Sequence, residues 1–285
     1  MEYQKQTLQD QQPLTLVIHD VLFHKTYLRS TDAPWVTFVH GAGGSSSIWS
    51  AQVREFRKHF NVLMLDLRGH GRSKNHPWSL KKDYSFESIG NEVIDLLDHL
   101  SIHRTHFVGI SLGTIITREL AERFPERVQS LVMGGAILKL NLRGQILMRL
   151  GSWTKSLIPY ILTYKLFAWI IMPKENHRAS RLIFINEAKK LYQKEFKRWF
   201  SLVSEVNPIL SLFRSKDCGI PTLYIMGEED FMFLPGVQAT VAKHLSASLS
   251  IFKDCGHVVN VERSALFNQT SIAFITSQSN NLSVY

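Results

Sequence analysis

Short apolar runs alternate along this chain with longer stretches whose apolar residues recur every three or four positions. "WVTFVHGAGG", from Trp35, is a compact apolar run ending in glycines, which marks a buried strand followed by a loop. "NVLMLDLRGHGRS", from Asn61, repeats that layout, and "SIWSAQVREFRKHF" between them carries helical spacing. "SFESIGNEVIDLLDHL" is an amphipathic helix with Ser85 as its predicted N-cap and Ser88 as the alternative. "RTHFVGIS" is a strand, "LGTIITRELAERF" a helix closed by Pro125, and "VQSLVMGGA" a strand again. Upstream, "LTLVIHDVLFHKTYLRS", from Leu14, predicts two strands joined near His19 and Asp20. Strand and helix resume at "PTLYIMGEED", from Pro221, with a helix near Pro235–His244, the strand "LSIFKDCGH" from Leu249 and a last helix from about Val261.

Strands separated by helices at this spacing imply an α/β fold. Its central sheet is mostly parallel, with right-handed crossovers and helices on both faces. The alternation stops between residues 138 and 216, where the pattern is helical throughout. The expected organisation is therefore a core of residues 1–137 and 217–285 interrupted by a helical insert of residues 138–216. One stretch of the insert, "SLIPYILTYKLFAWIIMP" from Ser156, approaches membrane-span length. Pro159, Lys165 and its two tyrosines instead predict helices that are buried or line a groove.

Composition narrows the class. With 285 residues, 45% of them apolar, the chain can bury a large core and is not disordered. The polar N-terminus shows no apolar leader, and only Cys218 and Cys255 occur, so a cytoplasmic, reducing setting is expected. Neither C-x-x-C nor H-E-x-x-H is present, so no metal site is expected. "HGAGG" lacks the G-K-[ST] of a phosphate loop, so no nucleotide cofactor is expected either. The formal net charge is +9, yet residues 138–216 alone hold 15 Lys and Arg against 4 Asp and Glu. That asymmetry predicts a solvated basic surface on the insert, weak contact with anionic surfaces and no nucleic-acid partner. Oligomeric state is left open.

The chemistry gathers around "GISLG", Gly109 to Gly113, which places Ser111 where a strand meets a helix. A sharp turn there projects a hydroxyl from the carboxyl edge of the sheet, where α/β proteins build their sites. Glycines on both sides permit the close approach that the turn requires. The helix that starts beside it favours developing negative charge. A serine hydroxyl still needs a base, and the base an orienting carboxylate.

At these residues the chain resembles the α/β-hydrolase superfamily, over roughly residues 14–138 and 217–276. "HGAGG" is similar to the family's oxyanion loop and "DLRGHGRS" to the loop after its next strand. "GISLG" is similar to the nucleophile elbow, and "GEED" and "GH" to the acid and histidine loops. The resemblance implies a Ser-His-Asp serine hydrolase whose insert is a helical cap. Ser111 would attack, His257 would take and return the proton, and Asp230 would orient the imidazole. The backbone N–H groups of Ala42 and Leu112 would receive the oxyanion. Glu228, Glu229 and Asp254 are neighbouring carboxylates, with Glu229 next in order after Asp230. The loop "GGAILKL" after the preceding strand holds no alternative acid. His40 and the group Asp66, Arg68 and His70 are expected to hold loops together, and Cys255 to pack.

The implied substrate is a carboxylic ester with a small or medium apolar group. One alternative is C–C bond cleavage assisted by a cap arginine, drawn from Arg143, Arg149, Arg178, Arg181, Arg198 and Arg214. The other is a hydrolase-like ligand receptor with little turnover. Apolar residues of the insert are expected to roof Ser111, and most of its Lys and Arg to face solvent.

Overall fold

The computed structural model describes residues 21–75, 84–140, 144–145 and 158–280. Seven strands form one sheet: β1 His24–Tyr27, β2 Trp35–Val39, β3 Asn61–Leu65, β4 Thr105–Ile110, β5 Val128–Gly134, β6 Thr222–Gly227 and β7 Ala247–Phe252. Their order is β1-β3-β2-β4-β5-β6-β7, with β1 antiparallel to β3 and every other pairing parallel. β4, which leads into Ser111, is therefore the middle strand. The first half of the strand pair expected from Leu14 lies outside the described residues.

Alternate side chains of the strands enter two separate cores, which is why the strands read as continuous apolar runs and not as alternating ones. Phe107, Leu131 and Met133 pack on one face with α2 (Phe86–His99), α3 (Leu112–Arg123) and α8 (Leu234–Val241). Val108, Ile110 and Val132 pack on the other with α1 (Ser50–Phe56) and α10 (Ser264–Asn280). Both predicted caps of α2 take part at once. The Ser85 hydroxyl accepts from Ser88 N–H at 3.0 Å, and the Ser88 hydroxyl accepts from Ser85 N–H at 3.1 Å. The last helix is divided: α9 (Val259–Glu262) ends at Arg263, before α10 begins.

Among the described residues, four helices have defined bounds between β5 and β6: α4 Tyr160–Ile171, α5 Arg178–Ala188, α6 Gln193–Ser201 and α7 Val203–Ser215. Tyr164, Ala188, Leu191, Phe196 and Phe200 give them a small core of their own. The long apolar stretch is a 12-residue helix, α4, and among the described residues no helix is long and apolar enough to cross a membrane. It departs from the expectation in one respect. Only one side of α4 is fully covered; on its other side Leu162, Leu166, Trp169 and Ile170 are exposed, with the Arg181 guanidinium stacked on the Trp169 ring at 3.9 Å.

Backbone packing around the elbow leaves no room for side chains. A Cβ on Gly113 would lie 2.3 Å from the Val39 carbonyl oxygen and 2.8 Å from that of His40, both on the strand and loop beside β4. We predict that Gly113→Ala destabilises the fold by about 3 kcal/mol, because backbone on both sides of the contact cannot yield as a flexible side chain would. Urea denaturation checks this, and an unchanged midpoint would contradict it.

Candidate active site

Ser111 sits between β4 and α3 with φ 54° and ψ −120°, a conformation that few non-glycine residues adopt. Its N–H donates to Gly134 O at 3.0 Å, which ties the turn to β5. A Cβ on Gly109 would meet the Gly113 backbone at 2.9 Å, so position 109 must be bare for α3 to start this close to β4, while the Val39 and His40 carbonyls impose the same on Gly113. Leu112 is the first residue of α3, and the helix N-terminus therefore opens beside the hydroxyl.

The loops after β6 and β7 bring Asp230 and His257 to the same point. His257 Nε2 is 2.9 Å from Ser111 Oγ, and His257 Nδ1 is 2.8 Å from Asp230 Oδ2. The carboxylate only accepts, so Nδ1 carries the proton and Nε2 is left to accept from the serine hydroxyl. Asp230 is fully buried, and its other oxygen accepts from Phe233 N–H at 3.3 Å. The Phe233 ring packs against the imidazole, its centroid 5.0 Å away and its plane tilted by 44°.

Reaching Ser111 requires the histidine loop to cross the ends of β6 and β5. A Cβ on Gly227 would lie 2.1 Å from Gly256 O, and one on Gly135 would lie 2.3 Å from His257 O. Gly135 also has φ +50°. These glycines are site residues that sequence reasoning missed. "GGAILKL" attracts notice for its lack of a carboxylate, whereas its function here is to be thin.

The loop after β2 is held by a reciprocal pair of imidazoles. His40 donates from Nδ1 to Gly41 O at 2.8 Å and accepts Leu67 N–H on Nε2 at 3.0 Å. His70 donates to Arg68 O at 3.0 Å and accepts Gly43 N–H at 3.0 Å. Each ring needs one bare nitrogen, so each must be neutral, and burial favours that state. Desolvation lowers both pKa values, that of His70 to about 3. Asp66 accepts from Ser46 N–H at 2.6 Å and Arg72 N–H at 2.8 Å, and Arg68 forms a buried ion pair with Glu92. A Cβ on Gly41 would lie 3.1 Å from Ser111 Cβ, so the clamped loop abuts the serine. Ala42 and Leu112 both face the cavity there.

That cavity measures about 180 Å³ and is walled by Phe86, Phe167, Phe184, Phe196, Trp199 and Phe200 among other apolar residues, with Ser111 and His257 at its floor. No Lys, Arg, Asp or Glu lines it among the described residues. A smaller space of about 50 Å³, bounded by Ile48, Ser180 and Glu187 among others, also reaches Ser111 and shares Ala42, Phe184 and His257 with the first. Of the arginines considered for a substrate carboxylate, Arg178 is exposed, and Arg181 donates to Met172 O at 2.6 Å and Lys174 O at 2.7 Å. Arg198 pairs with Glu195 at 2.9 Å and Arg214 donates to Leu138 O at 2.6 Å, while Arg143 and Arg149 lie outside the described residues.

Glu229, the runner-up acid, is bound elsewhere. It accepts from Lys174 Nζ at 2.6 Å, Asn176 Nδ2 at 2.8 Å and His177 Nε2 at 2.8 Å, all from the segment between α4 and α5. These donors hold its pKa down to about 2. Glu229 thus fastens the helical insertion to the loop carrying Asp230, a link between residues more than fifty apart that no local pattern announces. Cys255 is buried, and desolvation pushes its thiol up to about 12, which disqualifies it as a nucleophile.

A family model described as alpha/beta hydrolase fold matches residues 34–264. The chain belongs to the α/β-hydrolase family. The RutD protein of Acinetobacter baylyi, whose name assigns it to carbamate hydrolysis, is 29% identical over 263 residues, 86% of this chain and 94% of that one. The 3-oxoadipate enol-lactonase 2 of the same organism is 32% identical over 127 residues, 45% of this chain and 46% of that protein. A second RutD, from Pseudomonas savastanoi, is 37% identical over 113 residues, so these two matches span less than half of the relatives concerned. Among solved α/β-hydrolases, a hydrolase from Pseudomonas aeruginosa superposes with a TM-score of 0.74 at 24% identity, covering 88% of this chain and 93% of its own. An esterase from Exiguobacterium antarcticum gives 0.73 at 14%, covering 90% and 95%. At these identities the structures speak for the fold alone.

A carboxylate whose pKa is depressed on folding stabilises above its ordinary value, and that contribution disappears as pH falls through the folded value. For Glu229 the window runs from 4.5 down to about 2. Glu229→Gln should cost about 1–3 kcal/mol at neutral pH and flatten the loss of stability across that window. Denaturant midpoints measured against pH for both proteins test this, and parallel acid limbs would refute it.

Proposed function

We propose that this chain is a serine hydrolase that cleaves a carboxylic ester through an acyl-enzyme. The observation that carries this reading is the continuous hydrogen-bond chain from Asp230 through His257 to Ser111. In the proposed reaction the Ser111 oxygen attacks the ester carbonyl as its proton passes to His257 Nε2. Asp230 keeps Nδ1–H in place and stabilises the imidazolium. The carbonyl oxygen becomes an oxyanion that accepts from the N–H groups of Ala42 and Leu112, aided by the α3 dipole. His257 then donates its proton to the departing alcohol. In the second half a water, deprotonated by the same nitrogen, attacks the acyl carbon, and the returning proton frees Ser111.

The helices between β5 and β6 act in this reading as a cap. Their aromatic residues wall a space that no charged side chain lines among the described residues, so a neutral, apolar ester fits and a charged one bears an uncompensated desolvation cost. Lactones and carbamates, named in three of the relatives, pass through the same tetrahedral stage and are substrates of the same class. The arginine-assisted C–C reading receives no support from the described residues, since none of Arg178, Arg181, Arg198 and Arg214 lines the cavity.

Ser111→Ala and His257→Ala should each lower turnover of a short p-nitrophenyl ester by roughly 10⁴-fold or more with folding intact, and Asp230→Asn by nearly as much. An organophosphonate should label Ser111 once per chain. Labelling at another serine, or full activity in Ser111→Ala, would remove the assignment. Failure of the wild type to sustain turnover across an ester, thioester and lactone panel would favour the receptor reading. Gly135→Val should reduce turnover at least tenfold by pushing His257 off the serine, while phenylalanine at an exposed position such as Leu245 should not; equal rates for Gly135→Val and wild type would contradict the crossing geometry.

A further inference from the structure

Helix α4 carries apolar residues on both sides, and among the described residues only one side is packed into the protein; on the other, the Arg181 guanidinium lies over the Trp169 ring. Phe167 and Ile171 line the cavity beside Ser111. On the other side Leu162, Leu166, Trp169 and Ile170, spaced as one helical stripe, are 50%, 48%, 51% and 39% exposed. A helix apolar all round is ordinarily covered all round. The neighbouring α5 adds exposed Leu182.

The exposed charges on and beside α4 and α5 are mostly positive. Lys165, the single charged residue of α4, is exposed within the stripe, and α4 holds no Asp or Glu. Exposed Arg178 and Lys189 flank α5, and across residues 138–216 cations exceed acids by 11. Exposed Glu175 is the nearby exception, and Glu187 is engaged with Lys190 and Ser45. Apolar residues with a tryptophan among lysines and arginines match the boundary of an anionic bilayer, where acyl chains meet negative headgroups. A second copy of the chain would instead bring like charges together.

We propose that α4 and the exposed side of α5 dock on an anionic lipid surface, the stripe entering the headgroup boundary while Lys165, Arg178 and Lys189 meet the phosphates. Docking is independent of catalysis. That it delivers lipid-dissolved esters to Ser111, through a helix whose inner side walls the cavity, rests on the reaction proposed above.

Cosedimentation of the full chain with phosphatidylglycerol-containing and with pure phosphatidylcholine vesicles, across a salt series, tests the docking. Anionic vesicles should bind about tenfold more protein at low salt, and part of that binding should persist at high salt because the stripe is apolar. Leu162→Glu with Leu166→Glu should lower partitioning about tenfold or more, and Lys165→Glu with Arg178→Glu should abolish the anionic preference. All four positions are exposed, and an unchanged melting curve confirms folding. Ser111→Ala should bind like wild type, which separates docking from catalysis. The Leu162/Leu166 variant should lose turnover of a long-chain ester held in vesicles yet keep that of a dissolved short ester. Equal partitioning of wild type and the leucine variant, or no anionic preference at low salt, would overturn the proposal. So would a concentration-dependent dimer that the leucine variant makes monomeric, because a second copy would then own the face.

Discussion

The site depends on one crossing. Ser111 leaves the middle strand of the sheet, and His257 arrives from β7, three strands away. A hydrogen bond of 2.9 Å between them requires the histidine loop to pass directly over the ends of β6 and β5. Gly227 and Gly135 meet that loop at distances where any Cβ would collide with its carbonyls. Asp230, at the end of β6, then lies on the path and takes the imidazole from its far side. The sheet order makes the three residues neighbours in space, and the glycines make the last ångströms available.

Opposite that crossing, the loop bearing Ala42 is fixed by neutral imidazoles. His40 and His70 each bridge the loops after β2 and β3, donating from one nitrogen and accepting a backbone N–H on the other. Protonation would replace each accepted bond with a repulsion, and complete burial opposes it. In the reaction proposed above, backbone donors held in this way would need little reorganisation as negative charge develops beside Ser111.

The helical insertion is fastened at several separate points. Glu229 takes three donors from the segment between α4 and α5. Trp199 donates to Arg68 O at 2.9 Å, Tyr84 donates to Glu195 at 2.9 Å, and Ser45 donates to Glu187 at 2.8 Å. The polar bonds lie around the aromatic cavity and the apolar residues wall it, which is the distribution that keeps a cavity dry while holding its roof. The outward stripe of α4 stands apart from this scheme, because none of these fastenings covers it.

Local pattern determined much of the molecule. Apolar runs ending in glycine located β2 to β6, Ser85 and Ser88 located the start of α2, and Gly109 to Gly113 located the elbow, because each depends on neighbours within a few residues. Chain order and the family resemblance selected Asp230 and His257. Tertiary structure decided the rest. Which of two adjacent carboxylates meets the imidazole depends on where the loop after β6 turns, and Glu229 turns toward Lys174, Asn176 and His177 instead. Gly135 reads as an ordinary loop glycine until His257 is laid over it. Likewise, the apolar pattern of α4 states that its residues avoid water but not which of them find cover. Hydrophobicity has no direction in a sequence, and only the packing of α4 against its neighbours divides Phe167 and Ile171 from Leu162 and Leu166.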